Sequence, residues 1–326
     1  MLTLHRGRVT AVVERHEGLA RVEVDGVPCV AYPGLTGPVA LGDEVLVNVQ
    51  ARELGLGSGG FDVLYANLTR GLGLPAQEGA HVMKLPYTPL QFAAAHVEEA
   101  APSSPALAGF PVICLTLHSQ LVPAVAALPD DLRVAYLQLP GGALPVPLSD
   151  ALRALRARRP VTAVAVGASF GGEYEAVNVA SGLAGAAAVA DVAVCGIGPG
   201  IVGTASPLGH GAVAAAEAAL VAAGLGASPI LAVRYSEGDE RERHQGVSHH
   251  TRAVLDLCAG RVTAAWPRGL EAPEWLEPRR EVDVDGWREA CAGLPLSHMG
   301  RGPDEEPWFF AAAYAAGVAA AELLAA

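Results

Sequence analysis

The segment DERERHQGVSHHT, residues 239–251, gathers the side chains of this sequence best suited to chemistry. Arg241, Arg243 and the following Arg252 could grip a carboxylate or phosphate through paired N–H donors. Ser248 reads as a helix N-cap, which places His249 and His250 in a first helical turn. The positive end of the helix dipole favours neutral imidazole there, a form able to accept a proton. Adjacent helical residues point about 100° apart, so this pair suits a single metal ion poorly. The H-E-x-x-H spacing is absent, and no metal ligand is assigned, although His118, His210 or His244 could combine with Glu173 or Glu175. A charged run is ordinarily a solvated loop, but paired histidines beside a glycine favour a site loop.

Two glycine-bearing turns add to this. In GIGPGIVGT (196–204), Gly198, Gly200 and Gly203 allow close backbone approach, and N–H groups of such a turn can cradle an anion. Thr204, Arg243, His244 and Lys84 complete the expected binding set. The turn matches G-x-G-x-x-G, yet it follows the fourth strand of its domain and has no lysine after the last glycine. It is neither a first-turn dinucleotide fingerprint nor a Walker A loop, and a purely structural turn is the competing reading. GASFG (167–171) matches G-x-S-x-G, with Ser169 as nucleophile, a histidine from 244–250 as base, and Glu237 or Asp239 to orient it. The bland alternative is a tight turn with Ser169 capping a helix. His118, after the run PVICLTL, and Glu173 join His249 and His250 as acid–base candidates.

The elements that must position these residues fall into two groups. RVTAVVE, ARVEVDG, VPCVAY and DEVLVNV are short, β-branched and separated by Gly, Pro and Asp, which predicts a small antiparallel barrel or sandwich over 1–97. GLGSGGFDVLYANL is expected to close it as a glycine-rich hairpin or loop. EEAAPSSPALAG (98–109) reads as a linker. From Phe110 onward, strand-length runs (PVICLTL, RVAYLQL, VTAVAVG, DVAVCGI, ILAVRY, RVTAAW) alternate with alanine-rich helical segments at 120–128, 149–158, 174–190, 211–223 and 248–258. Strands apolar on both faces, each followed by a helix, predict a doubly wound, mostly parallel, Rossmann-like α/β domain over 110–326. Ligands of such sheets bind beyond the carboxyl ends of the strands, where the histidines and glycines fall.

Composition narrows the function classes. The 326 residues carry a net charge of −12, and 17% are charged where roughly 25% is typical. Hydrophobic residues make up 51%, which excludes a disordered chain. The acidic balance argues against duplex binding, which needs basic residues to displace phosphate counterions. Five scattered cysteines without Cys-x-x-Cys predict reduced, buried thiols in a cytoplasmic protein. The charged N-terminus lacks a signal-peptide core. The apolar stretch 308–326 is read as a packed terminal helix, its start marked by Asp304, Glu305 and Glu306. No membrane partner is expected, and the apolar content fits a homo-oligomer. Lys84 is the single lysine among 22 basic residues. A compact, titratable amine retained against an arginine background points to a position at the inter-domain junction, facing the cleft.

MKLPYTPLQ (83–91), FGGEYEAVN (170–178), GPGIVGT (198–204), RHQGVSHHT (243–251) and HMGRG (298–302), in this order, resemble an uncharacterised bacterial family catalogued only as a domain of unknown function. The resemblance covers nearly the whole chain and implies that both regions belong together in one complete member. It carries no activity, substrate or catalytic residue. The residues themselves favour an enzyme of undefined reaction class, with a small anionic or nucleotide-like ligand and histidine acid–base chemistry. Its alternatives are a serine hydrolase acting through Ser169 and a non-enzymatic sensor or oligomeric scaffold.

Overall fold

The β-branched runs of the N-terminal region pair into a closed five-stranded barrel in the computed structural model, which describes residues 2–56, 59–70, 73–74, 77–100 and 106–325. Its strands are β1 (Leu4–His16), β2 (Leu19–Val24), β3 (Val27–Ala31), β4 (Glu44–Asn48) and β5 (Asp62–Asn67). They follow the order β1-β2-β3-β5-β4, and β4 pairs back onto β1. Only β3 and β5 run parallel, which is the Greek-key order of an OB-fold. Alternate residues, among them Val22, Val24, Val45 and Val47, point inward and fill the interior. One expectation changes here. Residues 62–67 are a stave of the barrel, because Asp-Val-Leu-Tyr-Ala-Asn buries alternate side chains between β3 and β4. Single helical turns α1 (Pro33–Thr36) and α2 (Gln50–Glu53) and the hairpin of β6 (Val82–Lys84) with β7 (Phe92–Ala94) complete this unit, Met1–Ala95. Lys84 is buried on β6.

The second unit, His96–Ala326, begins with the helical turn α3 (Val97–Ala100). The expected linker therefore starts in helix, and its residues 101–105 lie outside the described ones. The chain then runs β8 (Pro111–Leu115), α4 (Leu121–Ala126), β9 (Val134–Leu139), α5 (Asp150–Arg156), β10 (Val161–Val166), β11 (Tyr174–Ala176), α6 (Val179–Val189) and β12 (Val192–Ile197). It continues through α7 (Ala214–Gly224), β13 (Ser228–Ala232), β14 (Tyr235–Ser236), β15 (Gly246–Val247), α8 (His249–Cys258), β16 (Thr263–Pro267), β17 (Arg279–Val282), α9 (Trp287–Ala290) and α10 (Pro307–Ala325).

Eight of these strands form one all-parallel sheet in the order β11-β10-β9-β12-β8-β13-β16-β17. The Rossmann-like expectation is met. α6, α7 and α8 contribute to the core on one face, and α4, α5 and α10 to the core on the other. The central strands are apolar on both sides for that reason. Residues 174–176, expected as the start of a helix, instead pair with β10 as an edge strand. The helix begins after Asn178, whose side chain accepts the Ser181 N–H. The terminal helix α10 is long and apolar enough by length and composition to cross a membrane. Its Phe309, Phe310, Ala312, Ala316 and Ala320 are fully buried against the protein itself.

Connections from β8 and β9 lead toward the β11 edge, whereas those from β12 and β13 lead toward the β17 edge. Loops therefore part at the carboxyl ends of β9, β12, β8 and β13, the kind of crevice in which open α/β sheets bind ligands.

Candidate functional site

At that sheet edge four imidazoles meet. Ser248 caps α8, its Oγ accepting the His250 N–H at 3.2 Å, and so places His249 and His250 in the first turn. Their rings converge, with centroids 4.5 Å apart. His210 arrives from the loop after β12, held by backbone pairing with Gly203, and stacks on His250 at 4.0 Å. His244 comes from a single 3₁₀ turn, 4.7 Å from His249, with Nδ1 2.8 Å from Ser248 Oγ. The short ladder of β14 with β15 turns residues 236–246 back, so that the polar loop returns to the sheet edge instead of extending into solvent.

An ion-pair network backs this cluster. Arg234, at the end of β13, donates from Nη1 to His250 Nδ1 at 3.1 Å and from Nη2 to Asp239 at 3.3 Å. Asp239 also accepts from Arg241 Nη2 at 2.8 Å and faces Arg301 at 3.8 Å. Glu306, just before α10, accepts from Ser236 Oγ at 2.6 Å, from the Glu237 N–H at 3.1 Å and from Arg301 Nε at 2.7 Å. The hydrogen bonds of Arg241 hold the Asp239 carboxyl far below the usual range. Burial opposes ionisation of Glu306, but its Ser236 and Arg301 hydrogen bonds outweigh that and keep it low.

Burial, reinforced by these arginines, holds the imidazoles neutral. His244 is pushed down to about 3 and His249 to about 4, in each case first by burial. His250 and His210 are lowered for the same reason. Arg234 falls to about 10, again mainly through burial. His210 Nε2 lies 2.9 Å from the Pro207 carbonyl and so carries the proton, which leaves the lone pair on Nδ1. That Nδ1 and His249 Nε2 are buried without hydrogen-bond partners among the described residues. One ring nitrogen from each of His210, His249 and His250 lies within 4.8 Å of the other two. The tertiary fold thus brings together a pair that helix geometry alone sets apart.

Beside the cluster, a cavity of about 310 Å³ opens between the ends of β8 and β12, lined by His118, Gly198, Gly200, Ile201 and His298. His298 stacks on Phe309 with centroids 3.8 Å apart, and its Nε2 is buried without a hydrogen-bond partner among the described residues. His118 is fully engaged. Its Nδ1 donates to the Ile197 carbonyl at 3.1 Å, and its Nε2 accepts from Ser149 Oγ, the N-cap of α5, at 2.7 Å. Burial lowers it to about 4.

The other candidates are distributed differently. A Cβ at Gly198 would strike the Ala143 carbonyl oxygen, and one at Gly203 would press on His210, so both glycines admit neighbouring chain. Gly200 alone of the three has open space, at a φ of 73°. Thr204 is tied to Ser206 and Gly209 within its own turn. Arg243 is exposed and has no ion pair among the described residues, whereas Arg252 lies over Trp275 at 4.4 Å. Ser169 is buried, its turn leads into β11 instead of a helix, and its Oγ has no hydrogen-bond partner, histidine or other, among the described residues. Glu173 pairs with Arg156 and accepts the Ala163 N–H at 2.6 Å, away from the histidines. Arg234 carries no local signal in the sequence, and Glu306 reads there only as a helix-start signal. His298 and Arg301 were visible only as part of HMGRG.

Among known families, the chain matches one described as a protein of unknown function (DUF3866), over residues 28–317. No curated protein matches it.

Proposed function

We propose that this chain, which belongs to the DUF3866 family of proteins of unknown function, is an enzyme acting on a small anionic molecule held at the carboxyl edge of its parallel sheet. The observation that carries this reading is the meeting of four neutral imidazoles with an arginine-rich network in a protein of net charge −12. Among the described residues, the ion pairs of Arg234, Arg241 and Arg301 are made with Asp239 and Glu306, so the network behind the imidazoles holds three guanidinium groups against two carboxylates, while Glu237, Glu240 and Glu242 of the same loop are exposed. An anion reaching this edge is favoured there and repelled elsewhere. Arg243, exposed on the same loop, is the residue that would receive it, since a guanidinium offers paired donors to a carboxylate or phosphate. His249 and His244, neutral at physiological pH, supply lone pairs for proton transfer. Gly200, open toward the cavity, leaves room for the remainder of the molecule.

Isothermal titration against a panel of nucleotides, sugar phosphates and small carboxylates tests this. The expected result is binding by at least one class, weakened about tenfold or more in Arg243→Ala, as the loss of a charge-assisted pair requires. If no panel member binds, or if Arg243→Ala binds like the parent, the proposal fails. Binding without turnover of any bound compound would identify a sensor instead of an enzyme.

A further inference from the structure

We infer that His210, His249 and His250 form a binding site for one divalent transition-metal ion. The three residues offer ring nitrogens within 4.8 Å of one another, a spacing that one ion can bridge. Two of these ring nitrogens, His210 Nδ1 and His249 Nε2, are buried and have no hydrogen-bond partner among the described residues. His210 donates its Nε2 proton to the Pro207 carbonyl, which orients the ring and leaves Nδ1 free, as a backbone carbonyl does behind a metal-bound imidazole. His249 Nε2 is likewise without a hydrogen-bond partner among the described residues. Leaving two buried ring nitrogens unsatisfied is costly and calls for a reason, and a cation is one.

The third lone pair, on His250 Nδ1, accepts from Arg234 Nη1 at 3.1 Å. An ion takes that position from the guanidinium, which retains Asp239 as its partner. The chemistry of the donors selects the metal. Three imidazoles without a carboxylate suit Zn²⁺, Fe²⁺, Co²⁺ or Ni²⁺ and are wrong for Mg²⁺ or Ca²⁺, which require oxygen. Three protein ligands leave open positions, the arrangement of catalytic and not structural sites. An ion here adds charge beside the Arg234 guanidinium, so an anionic fourth ligand is favoured. His249 then gives its lone pair to the ion, and proton acceptance falls to His244, whose Nδ1 is bonded to Ser248. The site is independent of the anion reading, because an ion would bind these nitrogens whatever the substrate.

The test uses the full chain, stripped with a chelator, exchanged into metal-free buffer and titrated with Zn²⁺ and Co²⁺ without any organic ligand. Expected are about one ion per chain and a visible Co²⁺ absorption of low-coordinate character. Affinity should fall about tenfold or more in His210→Ala and in His249→Ala, while His244→Ala should stay within about threefold of the parent. Melting curves check that the variants fold. Absence of stoichiometric binding by the parent chain, or binding that His210→Ala and His249→Ala leave intact, overturns the site. Either result can be read separately from the anion titration.

Discussion

A buried hydroxyl left without a hydrogen bond costs about 1–3 kcal/mol, and Ser169 Oγ has no partner among the described residues. Other serines of the region are employed: Ser149 and Ser248 cap helices and bond to His118 and His244, and Ser236 holds Glu306. Residue type and local pattern do not separate these cases, because the partner lies far along the chain, 31 residues away for Ser149 and 70 for Ser236. Ser169→Ala should leave stability unchanged or raise it by about 1 kcal/mol, measured by chemical denaturation. The parent protein should resist labelling by a fluorophosphonate. A loss near 2 kcal/mol, or stoichiometric labelling, would restore Ser169 to the chemistry. The glycines of GPGIVGT divide in the same way, since chain packing accounts for Gly198 and Gly203 and leaves Gly200 as the one facing open space.

Elements were legible where their hydrophobic pattern is strong. The central strands are buried throughout and read as apolar runs interrupted in β9 by Gln138, and the barrel strands alternate because one face is buried. β5 and β11 were missed for opposite reasons. β5 follows a glycine-rich stretch that reads as loop, and β11 is a three-residue edge strand whose partner, β10, supplies the order. The α4–α10 pair shows how packing outweighs propensity. Gly317 lies inside α10, where alanine would favour the helix by about 1 kcal/mol. A Cβ there would strike the Ala124 carbonyl oxygen and the Ala127 methyl group, backbone and near-backbone atoms that cannot swing aside. Overpacking of that kind costs about 1–3 kcal/mol, so Gly317→Ala should be destabilising on balance. A lower denaturation midpoint is the expected outcome, and a higher one would mean that the helices separate without cost.

For the whole molecule the histidines tie stability to pH. His118, His244, His249 and His298 are held at about 3 to 4 chiefly by burial, against 6.5 when unfolded. The native state therefore binds fewer protons than the unfolded chain between those values. The stability this provides is complete above about pH 6.5 and is lost as pH falls through 4 toward 3. Asp239, Asp43 and Asp191, lowered by their arginine partners, extend the loss to still more acid conditions. Denaturant midpoints should be flat from pH 7 to 8 and decline steadily below 6.5. A midpoint that holds down to pH 4.5 would show that the imidazoles are not buried neutral in the native protein.

From local pattern come the two-part organisation, the parallel sheet, the capped helix carrying His249 and His250, and the sheet edge at which polar residues collect. Each follows from short-range periodicity and turn chemistry, which act within a few residues. The insertion of β12 between β8 and β9 does not follow from any local signal. Nor does the stacking of His210 on His250, 40 positions apart, or the placing of Arg234 behind them. Those arrangements depend on which strands become neighbours and which loops share one edge. Long-range burial settles that choice, and it turned two histidines judged too divergent for one ion into two corners of a triangle whose third is His210.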